Sequence, residues 1–162
     1  LEPDFHVHEG WKGVHRNAGE RVRYDLVLVP REHLTSARFD DGHIVVEVKM
    51  YNETDAVKHD TKGKDMLWQC VTYSYSDICL PGGVLVKPLF TLYHIAGDGI
   101  SPQYAARFDT VRHFVARGGV GALEFDGATE WTMQFGGSFY YRKRYGRGPH
   151  NVGTKRMVGT KR

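Results

Sequence analysis

Two carboxylates and a lysine lie on short apolar runs in the first third of the chain. Asp25 opens the run Leu-Val-Leu-Val-Pro, and Glu47 and Lys49 lie in the later run Ile-Val-Val-Glu-Val-Lys. Because side chains alternate between the two faces of a strand, Glu47 and Lys49 project to the same side. An acid and an amine in an apolar strand are unfavourable to bury unless they bind a partner. The pattern predicts a divalent-metal site at Asp25 and Glu47 with an adjacent lysine, which suits phosphodiester hydrolysis.

The metal expected at such a site is Mg²⁺ or Mn²⁺. Mg²⁺ is six-coordinate and is satisfied by one or two carboxylates together with waters and phosphate oxygens. It lowers the pKa of a bound water and offsets charge on the reacting phosphate. Lys49 would position or deprotonate that water, or neutralise charge in the transition state. Asp40 and Asp41 also precede Glu47, but they adjoin Gly42 and are better explained as turn residues.

The chain has an Asp, then an apolar strand that ends in Glu-x-Lys, and then a helix that carries a Gln. This order of residues resembles the PD-(D/E)XK superfamily. This is the restriction-endonuclease-like fold, whose members include restriction enzymes, junction resolvases and many phage nucleases. The matching residues are Asp25, Glu47 and Lys49 and, more weakly, Gln69 and Tyr73, within roughly residues 4–80 plus a later βα segment. Tyr24 stands where the family motif has Pro, and the long separation of Asp25 from Glu47 makes residues 31–43 an insertion.

The resemblance implies further roles. It implies an endonuclease that acts on DNA, with the Val48 carbonyl as a backbone metal ligand and Gln69 in the site. Family members commonly carry an acid on the element before the first catalytic strand, and Glu9 is the candidate, with Glu20 second. Many members are dimers, so a homodimer is implied as well. Tyr73 is better explained by packing than by catalysis.

The elements that position these residues follow the order β-β-β-α-β-α-β-β. Strands are predicted at 4–9, 21–29, 44–50, 84–94, 121–125 and 129–141, and helices at 66–79 and 102–117. Turns are predicted at 11–19 and 97–99, a polar excursion at 31–43, and a mobile charged loop at 52–65. This order predicts an α/β protein, a single domain with a central mixed β-sheet flanked by helices and a restriction-endonuclease-like core.

Basic residues are concentrated at the carboxyl end of the chain. Residues 131–162 hold eight Lys and Arg and no acid, whereas the first 130 residues hold 14 basic and 19 acidic side chains. We therefore divide the chain into a nuclease-like domain at 1–145 and a basic flexible tail at 146–162. Such a tail binds nucleic acid or another polyanion, or it serves as a solubilising terminus.

Nucleic-acid contacts are predicted in two places. The first is the charged loop, and the second is an aromatic and basic segment that includes Phe139 and Tyr140. The predicted contact residues are Lys58, Lys62 and Lys64 in the loop and Tyr141, Arg142, Lys143 and Arg144 in the segment. A solvated loop without contacts is the alternative for the three loop lysines.

Cysteine usage and hydropathy predict a cytoplasmic protein without a membrane partner, in the host cytoplasm for a phage-encoded member. No apolar run approaches the roughly 20 residues of a membrane span, and no signal peptide is visible. Cys70 and Cys79 have neither a metal-ligand spacing nor the number of a disulfide scaffold. Nine histidines invite a zinc site, with His6, His8 and His15 the nearest group, but the fixed ligand spacing of zinc sites is missing.

Two other function classes remain open from the sequence. One is a catalytically inactive nuclease-fold module that binds nucleic acid or protein through its basic tail. The other is a β-rich structural protein, such as a virion component, which the Gly- and Tyr-rich carboxyl-terminal part would suit. DNA and RNA substrates, and one-metal and two-metal chemistry, are equally compatible with the motif.

Overall fold

A computed structural model of the chain describes residues 1–36, 39, 41–50, 56–96, 102–126, 130–135, 139–144 and 154–157. At 139–144 and 154–157 it describes the backbone alone. The turn predicted at 97–99, the residue Asp40 and most of the tail at 146–162 lie outside these ranges. So do the side chains of Tyr141, Arg142, Lys143 and Arg144.

Twelve strands and three α-helices are present within the described residues. In chain order they are β1 Phe5–Glu9, β2 Lys12–His15, β3 Arg21–Arg23, β4 Leu26–Pro30, α1 Glu32–Ser36, β5 Ile44–Met50, α2 Ala56–Ser74, β6 Ser76–Cys79, β7 Leu85–Val86, β8 Phe90–Ala96, α3 Pro102–Arg117, β9 Val120–Asp126, β10 Glu130–Phe135, β11 Phe139–Arg144 and β12 Thr154–Met157. A 3₁₀ turn, Pro81–Gly83, separates β6 from β7.

The main sheet is mixed and has the order β1-β4-β5-β8-β9-β10-β11-β12. Its first three strands form an antiparallel meander, in which Leu26 pairs with both Glu9 and Val46. β8 is parallel to β5, and β9 is parallel to β8. Parallel neighbours need a long crossover, and α2 and α3 supply the two crossovers. The predicted α/β class and central mixed sheet are confirmed.

A second, antiparallel sheet has the order β3-β2-β6-β7. The chain passes between the two sheets four times: after β1, between β3 and β4, from β5 through α2 to β6, and between β7 and β8. At the second passage Tyr24 N donates to the carbonyl of Trp11 at 2.9 Å, which extends the small sheet, and the main sheet resumes at Leu26. The buried side chains of Tyr24, Val27, Val45, Tyr73 and Ile78 pack together where the small sheet, the meander and α2 meet.

Apolar clusters cover both faces of the main sheet. The cluster between the helices α2 and α3 and one face of the sheet consists of Met66, Cys70, Tyr93, Phe108, Val115, Val120 and Ala122. The opposite face holds Phe5, Leu28, Leu34, Phe39, Ile44, Val46, Leu92, Leu123, Trp131 and Met133. Asp4 is buried beside this second cluster, where its Oδ2 accepts a hydrogen bond from Trp131 Nε1 at 2.8 Å. This hydrogen bond gives Asp4 a structural role in the core.

The helix predicted at 66–79 has different bounds in the structure. It begins at Ala56 and ends at Ser74, and β6 follows it at once. The prediction of a mobile loop is therefore wrong for residues 56–65, while 52–55 lie outside the described residues. Gly63, Met66 and Cys70 are all buried on one side of α2, so a glycine occupies a core-facing position that a search for apolar periodicity does not detect.

Other predicted elements are divided or contain additional structure. The strand predicted at 21–29 is two strands, β3 and β4, which belong to different sheets. Those predicted at 84–94 and 129–141 are also each two strands, β2 lies in the turn predicted at 11–19, and α1 lies in the excursion at 31–43. Within the tail, Thr154–Met157 forms β12 and pairs with β11.

Candidate active site

Asp25 lies where the chain passes from the small sheet to the main sheet. It is exposed, and its Oδ2 accepts a hydrogen bond from the backbone N–H of Val48 at 2.8 Å. The β4–β5 ladder ends at the pair of Leu26 with Val46. The carboxylate therefore accepts from an N–H just beyond the ladder, which holds Asp25 near the carboxyl end of β5.

Glu47 is fully buried in β5. Continuing the β4–β5 register by one pair places it opposite Asp25, and opposite residues of an antiparallel pair share a face. Lys49 lies on that face as well, with its Nζ 2.6 Å from Glu47 Oε1. Oε2 is buried and has no hydrogen-bond partner among the described residues. Buried carboxylate oxygens normally have a partner, so Oε2 can still accept one.

The charge of Asp25 affects the pKa of Glu47 and of the side chains around it. Burial raises the pKa of Glu47 and the charge of Asp25 raises it further, whereas Lys49 and the Tyr73 hydroxyl lower it. Burial also raises the pKa of the Cys70 thiol and the Tyr73 hydroxyl, and the charges of Glu47 and Asp25 add to both shifts. Asp25 therefore acts on the same group of side chains as Glu47, as expected for one shared site.

Helix α2 covers the site with Cys70 and Tyr73, which are both buried. The Tyr73 hydroxyl donates to the carbonyl of Arg23 at 2.7 Å, and its ring packs edge-on against Tyr24 with centroids 4.8 Å apart. Tyr73 thus fixes α2 to the passage that carries Asp25, in keeping with the predicted packing role. Gln69 is half-buried one turn earlier on the same stripe of the helix.

The pairing register does not bring Glu9 to this site. Glu9 pairs with Leu26, which pairs with Val46. Paired residues share a face, whereas Val46 and Glu47 are consecutive and project to opposite faces. Glu9 is therefore exposed on the face of the sheet that lies away from Glu47. Glu20, the second acid of the prediction, is exposed just before β3.

The three lysines predicted in a loop belong to α2. Lys62 Nζ donates to the carbonyl of Met50 at 2.8 Å, at the last residue of β5. Its ammonium is thereby held at the end of β5 that also carries Lys49. Lys58 is exposed one turn earlier on the same side, and Lys64 is exposed on a different side of the helix. Sequence reasoning missed the placement of Lys62 because it missed the first half of α2.

The basic segment of β11 is remote from Glu47. Arg142 pairs with Thr132 and Lys143 with Trp131 of β10, and Tyr141 and Arg144 belong to the same strand. Between β5 and β11 lie β8, β9 and β10, which corresponds to about 19 Å at the usual strand spacing. The predicted role of these residues in nucleic-acid binding stays a prediction.

The carboxylates of Asp25 and Glu47 are the type of oxygen ligand that Mg²⁺ and Mn²⁺ prefer. In the described parts of the chain, no three His, Cys, Asp or Glu side chains are grouped closely enough to hold a metal ion. Zinc needs three or four such ligands, whereas Mg²⁺ is held by one or two carboxylates plus waters and substrate phosphates. The free Oε2 of Glu47 beside the exposed Asp25 is suitable for that smaller set. The Val48 carbonyl as a third ligand stays a prediction.

Comparisons of the chain with protein-family models, curated proteins and solved structures gave no match. Among the described residues, none of the helices has the length and apolar character needed to cross a membrane.

Proposed function

We propose that the chain is a metal-dependent nuclease that hydrolyses phosphodiester bonds in DNA, with Mg²⁺ or Mn²⁺ held by Asp25 and Glu47. The observation that carries the proposal is the buried Glu47, whose Oε1 lies 2.6 Å from Lys49 Nζ and whose pKa is raised in part by the charge of Asp25, a carboxylate held by the Val48 N–H. A solvent-facing acid beside a buried acid with a free oxygen is a donor set for a hard cation that must also contact substrate.

The element order also supports the proposal. The likeness to the PD-(D/E)XK superfamily needs an Asp-bearing strand, a Glu-x-Lys strand and a Gln-bearing helix, and these are β4, β5 and α2. Asp25 immediately precedes β4, Glu47 and Lys49 lie in β5, and Gln69 lies on α2, which packs over that strand. A restriction-endonuclease-like core is therefore part of the proposal.

The residues of the site have distinct roles in the proposed reaction. Asp25 and Glu47 would hold Mg²⁺, which would supply Lewis acidity for the activation of water and for the charge on the phosphate. The Val48 N–H orients Asp25, and the buried Glu47 lies close enough to Cys70 of α2 to raise the pKa of that thiol. Lys49, an ammonium paired with Glu47, can donate a hydrogen bond to the attacking water or to a phosphate oxygen.

The test is Mg²⁺-dependent cleavage of plasmid and branched DNA by the wild type, Glu47→Ala and Lys49→Ala. Each site variant should lose about 10²-fold or more of the activity. The matched control is Glu9→Gln, which removes an exposed acid from the other face of the same sheet and should retain activity. Unchanged cleavage by both site variants would remove the assignment.

One observation favours a second function, a catalytically inactive nuclease-fold module that binds nucleic acid or protein. Lys49 already neutralises Glu47 within the chain, so the pair can persist without a metal. Calorimetric titration with Mn²⁺ separates the two functions. A stoichiometric site that Glu47→Ala abolishes supports the nuclease, whereas DNA binding without any such site supports the binding module.

A further inference from the structure

A cleft of about 550 Å³ opens where the main sheet splits between β8 and β9. The two strands pair with each other only as far as Tyr93 and Ala122. Beyond that pair, β8 continues beside β5 as far as Ala96, and β9 continues beside β10 as far as Asp126. The cleft lies between these diverging strand ends, and α3 lines it from one face of the sheet.

That face is the one that carries Glu47. Glu47 pairs with Tyr93, and Tyr93 pairs with Ala122. Neighbours in a ladder project to the same side of the sheet, and alternation along β9 puts Glu124 on that side as well. β9 lies two strands from β5, which corresponds to about 10 Å at the usual strand spacing. The cleft is therefore a near neighbour of the candidate active site on the same face.

Arg112 of α3 lies at the cleft and is held there by two contacts. Its Nη2 donates to Gln134 Oε1 at 2.6 Å, and its Nη1 lies 3.9 Å from Glu124 Oε1. Gln134 pairs with Ala122 in the ladder of β9 and β10, so it projects to the face of Glu47 too. The guanidinium is thus fixed on the side of the sheet that holds the candidate site.

The guanidinium of Arg112 can still bind an anion. It has five N–H donors, and the contacts with Gln134 and Glu124 leave several of them for a ligand. The ion pair with Glu124 is long, and both side chains are partly exposed, at 35 % and 52 %, so the pair is weak. Among the described residues that line the cleft, Arg112 is the one cation, and its neighbours there include the apolar Ile95 and Phe108.

We propose that the cleft at Arg112 is a second phosphate subsite, which binds a phosphodiester of the nucleic-acid strand one or two nucleotides from the bond that is cut. The choice of ligand rests on the proposed nuclease function, because that function fixes where the cleaved phosphate lies. The spacing of two strands between β5 and β9 is comparable to the separation of such phosphates. Arg112 donates paired hydrogen bonds to the phosphate oxygens, and this contact holds the strand in register with Glu47 and Lys49.

The experiment measures binding of a labelled DNA duplex by fluorescence anisotropy over a range of salt concentrations, in EDTA so that no strand is cut. Arg112→Gln should weaken binding and reduce the slope of log affinity against log salt by about 1. Arg112→Lys, which keeps the charge, should keep the slope. The matched control is Arg117→Gln, which removes an exposed cation of the same helix outside the cleft and should leave the slope unchanged.

Glu124→Gln distinguishes phosphate binding from a purely structural role of Arg112. If Arg112 binds a phosphate, the loss of the neighbouring acid removes both a competing partner and a repulsive charge, and binding should tighten by about twofold or more. If Arg112 serves only to hold Glu124 and Gln134, Glu124→Gln should weaken binding as Arg112→Gln does.

The proposal is overturned if Arg112→Gln reduces the salt slope no more than Arg117→Gln does, or if Glu124→Gln weakens binding. Because EDTA removes the metal, both outcomes are independent of catalysis. A slope reduced through Arg112 without Mg²⁺-dependent cleavage would overturn the nuclease alone, and cleavage without any Arg112 effect would overturn the subsite alone.

Discussion

Glu47 is a side chain whose ionised form the fold disfavours. It is fully buried, one of its oxygens has no hydrogen-bond partner in the part of the chain described, and a second acid lies beside it. Lys49 compensates only partly, since the pKa of Glu47 is still raised. A charge placed so unfavourably is typical of a functional site, where stability is given up for chemistry.

The raised pKa of Glu47 has a consequence for stability. Between the ordinary pKa of a glutamate and the raised value, the folded state binds more protons than the unfolded state, so stability falls as pH rises through that window. Glu47→Gln removes the titration. Without metal it should melt above the wild type at neutral pH, by about 2–4 °C for each kcal/mol regained. The difference should vanish in acid, where wild-type Glu47 is protonated in both states.

Added Mn²⁺ should reverse that order. A metal that binds only the folded state stabilises it by about 2.7 kcal/mol at a hundred times its dissociation constant. Glu47→Gln should lack this gain, so the wild type becomes the more stable protein. Thermal unfolding with and without Mn²⁺ at several pH values measures both effects. Equal stabilisation of the two proteins by Mn²⁺ would contradict Glu47 as a ligand.

Helix α2 does more for the site than cover it. Its first turns bring Lys62 to the carbonyl of Met50, beside the end of β5, and its later turns bring Cys70 and Tyr73 over Glu47. One helix thus holds a cation at the end of β5 and covers the buried acid. The ammonium of Lys62 uses one of its three donors on Met50 and can offer the others to a phosphate.

Lys62→Met should weaken DNA binding and reduce the slope of log affinity against log salt by about 1, because the variant can no longer neutralise one phosphate. Lys64→Met is the matched control, because Lys64 is exposed on a different side of the same helix. Binding titrations of both variants over a range of salt concentrations measure the slopes. Equal slopes for the two variants would show that the position of Lys62 at β5 has no role in binding.

The elements that the sequence predicts well are long or strongly patterned. β5 occupies Ile44–Met50 and α3 occupies Pro102–Arg117, as the apolar run and the helical stripe indicate. The small sheet could not be predicted in this way, because strands such as Leu85–Val86 are too short to show a period. The start of α2 could not be recognised from an apolar period, because its core-facing side includes Gly63.

In the candidate site, too, some features could be predicted from the sequence and others could not. Strand alternation is a local property, and it is enough to place Glu47 and Lys49 on one face. Whether Glu9 shares that face depends on the register between strands, which a single strand's pattern does not specify. The register pairs Glu9 with Leu26, which places Glu9 on the face of the sheet opposite to Glu47.

The distribution of charge is a property of the whole chain. Eight basic residues and no acid follow residue 130, while the preceding part has more acids than bases. In the structure part of this basic region is a strand, since Thr154–Met157 pairs with β11 at the edge of the main sheet. Four strands, β8 to β11, separate that edge strand from the strand of Glu47, so phosphates bound there would lie on a duplex well beyond the cleaved bond.

Neutralising part of the basic region should therefore weaken duplex binding without affecting the metal site. The variant changes four cations to Gln: Lys155, Arg156, Lys161 and Arg162. Each phosphate that is no longer neutralised should reduce the salt slope by about 0.9, so a full effect approaches 4. The control removes four exposed cations elsewhere, with the same change in net charge: Lys12, Arg21, Lys87 and Arg117. Mn²⁺ titration should be unchanged in both variants. A salt slope reduced equally in both would mean that net charge, and not this edge of the sheet, determines duplex binding.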